Sequence, residues 1–292
     1  MDRDTRAALQ SAAERALGRG VRVDSAQAVS GGCIHSCFRL SAGAMRIFVK
    51  LNAARYADAF AAEADGLEAL RAARMRAPEP LAHGTSDGRA FLALEWLELK
   101  DRGDFAALGR ALAELHRSAG KRFGWHRDNY IGSTPQANAE SADWIEFWRA
   151  RRLAPQLALA EAQGHGAALR PHLQRLMDGL PGLFRDHAPQ ASRLHGDLWR
   201  GNAGFLAGGG PVVFDPAVYR GDREADLAMT ELFGGFPPEF YAAYREAWPF
   251  DPGYAARKHL YNLYHLLNHL NLFGGGYLGQ VRATLGLLLR AL

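Results

Sequence analysis

Asp197, Asn202 and Asp215 have identities and spacings that suit phosphoryl transfer. They lie in LHGDLWRGNAGFLAGGGPVVFDP, residues 194–216. Asp197 and Asn202 are five positions apart, and Asp215 follows thirteen beyond Asn202. Moving a phosphoryl group from a magnesium nucleotide needs few protein groups. A carboxylate must sit by the attacking hydroxyl, and oxygen atoms must ligate the metal; D-x-x-x-x-N with a later Asp supplies both. The plainer reading is a surface loop in which Asp and Asn form turns.

Such a site also needs an ammonium and a cradle for phosphates. Lys50 ends the apolar run IFVK, where a strand would aim it. A solvated lysine at a strand edge is the alternative. Glu63 lies early in DAFAAEADGLEALRAAR (58–74), where it can pair with Lys50 or simply face solvent. Ser30, Gly31 and Gly32 fall between two strand-like runs. Glycine there lets backbone amides approach an anion, although a GG turn alone is ordinary. Neither G-x-G-x-x-G nor G-x-x-x-x-G-K-[ST] occurs at this turn. Glu95, Trp96 and Leu97 sit where a crossover would hold an adenine edge.

The elements that must position these groups follow from periodicity. Residues 4–18 have helical spacing, 21–51 read as strands, and 58–74 form a helix stopped by Pro78 and Pro80. Two further strands end at Leu97. Beyond about residue 97 the chain turns helical, over 105–119, 143–163, 167–180 and two helices flanking the glycines at 274–276. The expected fold class is α+β: a small β-rich lobe (1–97), a mainly helical lobe (98–292), and a site between them.

The 292 residues are 48% hydrophobic, ample for a core. Net charge is +4 and the pI is about 9.2. With no Lys/Arg block of five, nucleic acid is not a favoured partner. No run of about 18 apolar residues predicts a membrane span. The first ten residues lack the apolar centre of a signal peptide. Two cysteines, Cys33 and Cys37, make no disulfide framework. A soluble, cytoplasmic protein is expected.

His265 and His269 share a helical face, but H-E-x-x-H is absent and no third ligand is evident. His269 with Asn268 and Asn271 reads as either a satisfied internal network or part of a polyol pocket.

Together these residues resemble the fructosamine kinase (ketosamine-3-kinase) family, within the protein-kinase-like fold. The resemblance rests on LHGDLWRGN (194–202), VVFDPAVYRGDREADLAM (212–229), DNYIGSTPQ (128–136) and LLNHLNLFGGGY (266–277). HGD alone would fit aminoglycoside or choline kinases too. The resemblance implies phosphorylation by ATP, with Mg2+, of the 3-hydroxyl of a ketosamine, free or protein-bound. Fructosamines, ribulosamines and erythrulosamines all stay open as acceptors. It makes Asp197 the catalytic aspartate, Asn202 and Asp215 metal ligands, Lys50 the phosphate lysine, Glu63 its partner and Glu95–Leu97 the adenine hinge. It makes Asp226 a brace of the catalytic loop. Trp199, His269 and Asn268 become substrate-facing candidates; for Trp199, core packing is the alternative. Cys33 falls at a position where family members can form a redox-linked dimer, and an inert strand thiol is the alternative. A monomer or such a homodimer is expected. Competing readings are a kinase of another small hydroxylated amine and a nucleotide-binding pseudokinase acting through partners.

Overall fold

The computed structural model describes residues 1–29 and 34–292. Asp2 caps the first helix, α1 (Arg3–Leu17), its carboxylate accepting from the Thr5 N–H at 2.7 Å. Ala8, Leu9, Ala12 and Ala13 line one face of α1 and are buried, as the helical spacing predicts.

The strands β1 (Ser25–Val29), β2 (Ser36–Ala42), β3 (Met45–Ala53), β4 (Pro80–Ser86) and β5 (Arg89–Glu95) form one antiparallel sheet in the order β1-β2-β3-β5-β4. Side chains alternate across a sheet. Leu40, Ile47, Val49, Leu51, Phe91 and Ala93 pack in the core with α1. Their neighbours Phe48, Lys50, Leu92 and Leu94 therefore face the other side. Helix α2 (Ala57–Ala72) joins β3 to β4 and buries Phe60, Ala64, Leu67 and Leu70. It ends before the prolines. Arg74 takes a left-handed φ of 65°, and the Met75 N–H returns to the Leu70 carbonyl at 3.0 Å.

The chain clusters into two compact units, Met1–Gly103 with Gly204–Pro216, and Asp104–Ala203 with Ala217–Leu292. The return of residues 204–216 to the first unit differs from a simple division near residue 97. Main-chain pairing explains it: Lys100 and Phe205 exchange hydrogen bonds at 2.8 and 2.9 Å, and the Val213 N–H donates to the Arg76 carbonyl.

The second unit opens with α3 (Phe105–Arg117), capped by Asp104, then the hairpin β6 (Asn129–Ile131) and β7 (Thr134–Gln136). The helix expected over 143–163 is interrupted. It comprises α4 (Trp144–Trp148), a π-helical stretch Arg149–Leu153 and α5 (Ala154–Ala162). The wider stretch carries Arg152 into the interior, where it bonds the Ala137 carbonyl and Asn138 and lies over Tyr219. Helix α6 (Gly166–Leu183) and strand β8 (Ser192–Leu194) follow, then the hairpin β9 (Ala203–Phe205) and β10 (Pro211–Val213). Strand β11 (Tyr219–Gly221) pairs with β8. Helices α7 (Glu224–Leu232), α8 (Pro238–Ala247), α9 (Tyr254–Phe273) and α10 (Leu278–Ala291) complete the chain. Among the described residues no helix is long and apolar enough to cross a membrane.

Candidate active site

In the first unit, β3 delivers Lys50 between two carboxylates. Its Nζ donates to Glu63 Oε1 on α2 at 2.7 Å and to Asp215 Oδ1 at 2.5 Å. Lys50 is 5% exposed. Burial alone would lower the ammonium's pKa, but Asp215 and Glu63 together push it above its ordinary value. Burial pushes the Glu63 carboxyl up to about 7, against the pull of Lys50. Asp215 has a left-handed φ of 56°, a backbone state that non-glycine residues rarely keep without a local reason.

The expected hinge residues close the same sheet. Glu95 uses its carboxylate internally: Arg76 donates to Oε1 at 2.6 Å and to Oε2 at 2.8 Å, and the Glu79 N–H adds a third bond. The Arg76 hydrogen bonds hold it below the usual carboxylate range. Its side chain is thus committed, and its main-chain N–H donates to the Glu79 carbonyl at 2.8 Å. Trp96 lies 6.5 Å from Phe48, with Arg39 over its ring, and Leu97 is half-buried beyond it. Gly31, Gly32 and Cys33 lie outside the described residues.

In the second unit, the loop after β8 presents Asp197. Gly196 turns the loop at φ +85°, and a Cβ there would lie 2.0 Å from the Ala217 carbonyl oxygen. Asp226 on α7 accepts from the His195 and Gly196 amides at 2.7 and 2.8 Å and faces His116 Nε2 at 3.1 Å. Burial opposes the charge on Asp226, yet these bonds, His116's first, keep its pKa low. A short 3-10 turn then brings Asn202 back, its amide nitrogen donating to the Asp197 carbonyl at 2.9 Å and carboxylate at 3.3 Å. That orientation leaves the Asn202 amide oxygen as the atom suited to a hard cation.

His265 on α9 lies beside this loop, its Nδ1 4.0 Å from Asp197 Oδ1. Burial pushes its pKa down to about 3, so the ring is neutral. His269, one turn on, bonds the His265 carbonyl at 2.8 Å. Asn268 is 3% exposed, accepts from Gln156 and donates to the Ile131 carbonyl. Both ends of its amide are used inside the protein, as the internal-network reading has it. Trp199 is 37% exposed, its indole against Gly201, where a Cβ would lie 2.4 Å from the ring. Phe233, at the end of α7, lies 6.2 Å from Trp199 and 4.7 Å from His269, and Tyr277 lies 5.1 Å from His269. Neither carries a site signature of its own in the sequence. Phe233 follows an apolar helix and reads there as packing. Tyr277 closes the family segment LLNHLNLFGGGY, the one signal that could have found it.

A strand lysine locked to a helix glutamate and a later aspartate, with a braced D-x-x-x-x-N loop, defines a phosphotransferase of protein-kinase-like fold. The chain belongs to the fructosamine kinase family, whose sequence profile matches residues 5–291. It is 47% identical over 278 residues to a "probable ketoamine kinase" of Synechocystis sp., covering 94% of this chain and 93% of that one. It is 40% identical to the chloroplastic protein-ribulosamine 3-kinase of Oryza sativa subsp. indica, covering 94% and 82%. A crystal structure from Haemophilus somnus 129PT, whose name places it among the fructosamine-3-kinases, superposes with a TM-score of 0.88 at 27% identity over 96% of both chains.

Proposed function

We propose that the protein is a ketosamine 3-kinase: the 3-hydroxyl of the acceptor attacks the γ-phosphorus of ATP, yielding the 3-phosphate ester, ADP and a proton. The observation that carries this reading is the three-way contact of Lys50 with Glu63 and Asp215 in a chain 40–47% identical to kinases named for ketoamines and ribulosamines.

Lys50 holds the phosphate chain of the nucleotide, and Glu63 fixes the ammonium's direction. Asp197 orients the acceptor hydroxyl and takes its proton late, because a loose transition state asks little of a base. Asp226 keeps the main chain before Asp197 in one conformation. The main chain of Glu95–Leu97 meets the adenine edge. Asn202, through its amide oxygen, and Asp215, through the oxygen not bound to Lys50, are hard donors that fit Mg2+. When bound, that ion supplies neutralisation of phosphate charge.

ATP turnover with ribulose-lysine, fructose-lysine, an aminoglycoside and choline tests the assignment. Turnover of a ketosamine by wild type, lost in Asp197→Ala while ATP still binds, is expected. Turnover of only the aminoglycoside or choline would overturn the substrate class. ATP binding with no turnover of anything would return the pseudokinase reading.

A further inference from the structure

Near Asp197 the second unit gathers a run of histidine and aromatic side chains. His265 faces Asp197 across 4.0 Å, and His269 lies four residues along the same helix, a rise of about 6 Å. Phe233 lies 4.7 Å from His269, Trp199 lies 6.2 Å from Phe233, and Trp199 is two residues from Asp197. Tyr277 adds a ring 5.1 Å from His269. Trp199 remains 37% exposed, and Phe273, 5.4 Å from His269, is 56% exposed. So large an aromatic surface left open beside a reactive carboxylate is built for a ligand.

Hydrogen bonding fixes what His269 offers. A carbonyl oxygen can only accept, so the 2.8 Å contact with His265 places the proton on His269 Nδ1. Burial lowers the His269 pKa, against the hydrogen bond to His265, and so favours the form in which Nε2 is a lone-pair acceptor. A neutral acceptor among the faces of Trp, Phe and Tyr attracts a cation bearing an N–H.

We propose that Trp199, Phe233, His269 and Tyr277 form a subsite for the secondary ammonium of the acceptor, which separates amine-bearing ketoses from neutral ones. The inference rests on the ketosamine reading and deepens it. In a ketosamine only C2 separates the carbon bearing the acceptor hydroxyl from the carbon bearing nitrogen. That is a span of the order of the helical turn between His265, beside Asp197, and His269. The ring faces take the charge, and Nε2 takes one N–H.

The test compares 1-deoxy-1-butylamino-fructose with its neutral isostere 1-O-butyl-fructose, with magnesium ATP, in wild type, Phe233→Leu and His269→Gln. Wild type is expected to favour the amine in kcat/KM by about tenfold, the scale of a desolvated cation–aromatic contact. Each variant is expected to bring that ratio close to one. Two variants in separate elements, with melting curves for each, guard against loss of fold in one. Equal turnover of amine and ether by wild type, or an unchanged ratio in both folded variants, would overturn the subsite while leaving the kinase reading intact. Turnover of neither compound, nor of the corresponding ribulose amine and ether, would overturn both.

Discussion

Lys50 Nζ donates to Asp215 Oδ1 across 2.5 Å, although 165 positions separate the two residues. The ammonium is shielded from water and shared with Glu63, while the Asp215 side chain is 47% exposed. One end of the pair is fixed by the core and the other is open to a ligand. Replacing Lys50 by Met removes the cation from between two carboxylates. We expect kcat to fall by about two to three orders of magnitude and stability by about 3 kcal/mol. Steady-state kinetics and thermal melting check the two separately.

Asp215→Asn keeps the shape but weakens both the contact to Lys50 and the ligand set for Mg2+. Calorimetry of ATP binding with and without magnesium should show the metal's contribution reduced by about tenfold. An undiminished metal effect would remove Asp215 from the ligand set.

Asp226 answers two loop amides and His116 with one carboxylate. Asp226→Ala leaves buried donors without partners, and we expect a loss of about 3 kcal/mol or more. Asp226→Asn, milder in stability, should lower kcat more than it raises KM for ATP, because the loop holding Asp197 loses its fixed conformation. A change in KM alone would argue against the brace.

Gly201→Ala tests the placement of the indole. The added carbon would lie 2.4 Å from the Trp199 ring, so the ring must move. KM for the acceptor should rise about tenfold, with ATP binding unaffected. Identical acceptor kinetics would show that the indole's position is immaterial.

His265 makes acid stability a second readout. Its folded pKa, near 3, lies below the ordinary 6.5. The unfolded chain therefore takes up a proton below about pH 6.5 that the folded chain refuses. The contribution is intact above that pH and is lost as pH falls, reaching about 2 kcal/mol by pH 5. His35, lowered to about 4 by burial and then by Lys50, acts in the same direction. His187, whose pairing with Asp222 outweighs its burial and raises its pKa, acts in the opposite direction. His265→Leu should flatten the fall in melting temperature between pH 7 and 5. An unchanged slope would refute the assignment.

What the sequence reveals and conceals divides along physical lines. HGDLWRGN is legible because its chemistry requires fixed residue types at short range. Lys50 and Glu63 are legible because a strand and the helix after it leave little freedom in where they meet. The sheet and most helices follow from alternation and helical spacing. The return of residues 204–216 is not legible, since it depends on main-chain bonds at Lys100 and Arg76 that carry no side-chain signature. The π-helical stretch at Arg149–Leu153 looks like ordinary helix. The rings around His269 come from separate elements, so no local pattern joins them. The pairing of Glu95 with Arg76 is not legible either, since it joins residues 19 positions apart.

The return of residues 204–216 to the first unit also orders biosynthesis. When the ribosome has released only Met1–Gly103, Lys50 has Glu63 at hand but Asp215 has yet to be translated. The nascent amino-terminal segment must wait, with one counterion missing, until the polypeptide has grown past Pro216. A gene truncated at codon 103 would therefore encode a fragment lacking a strand pairing and an anion that the intact protein supplies from downstream.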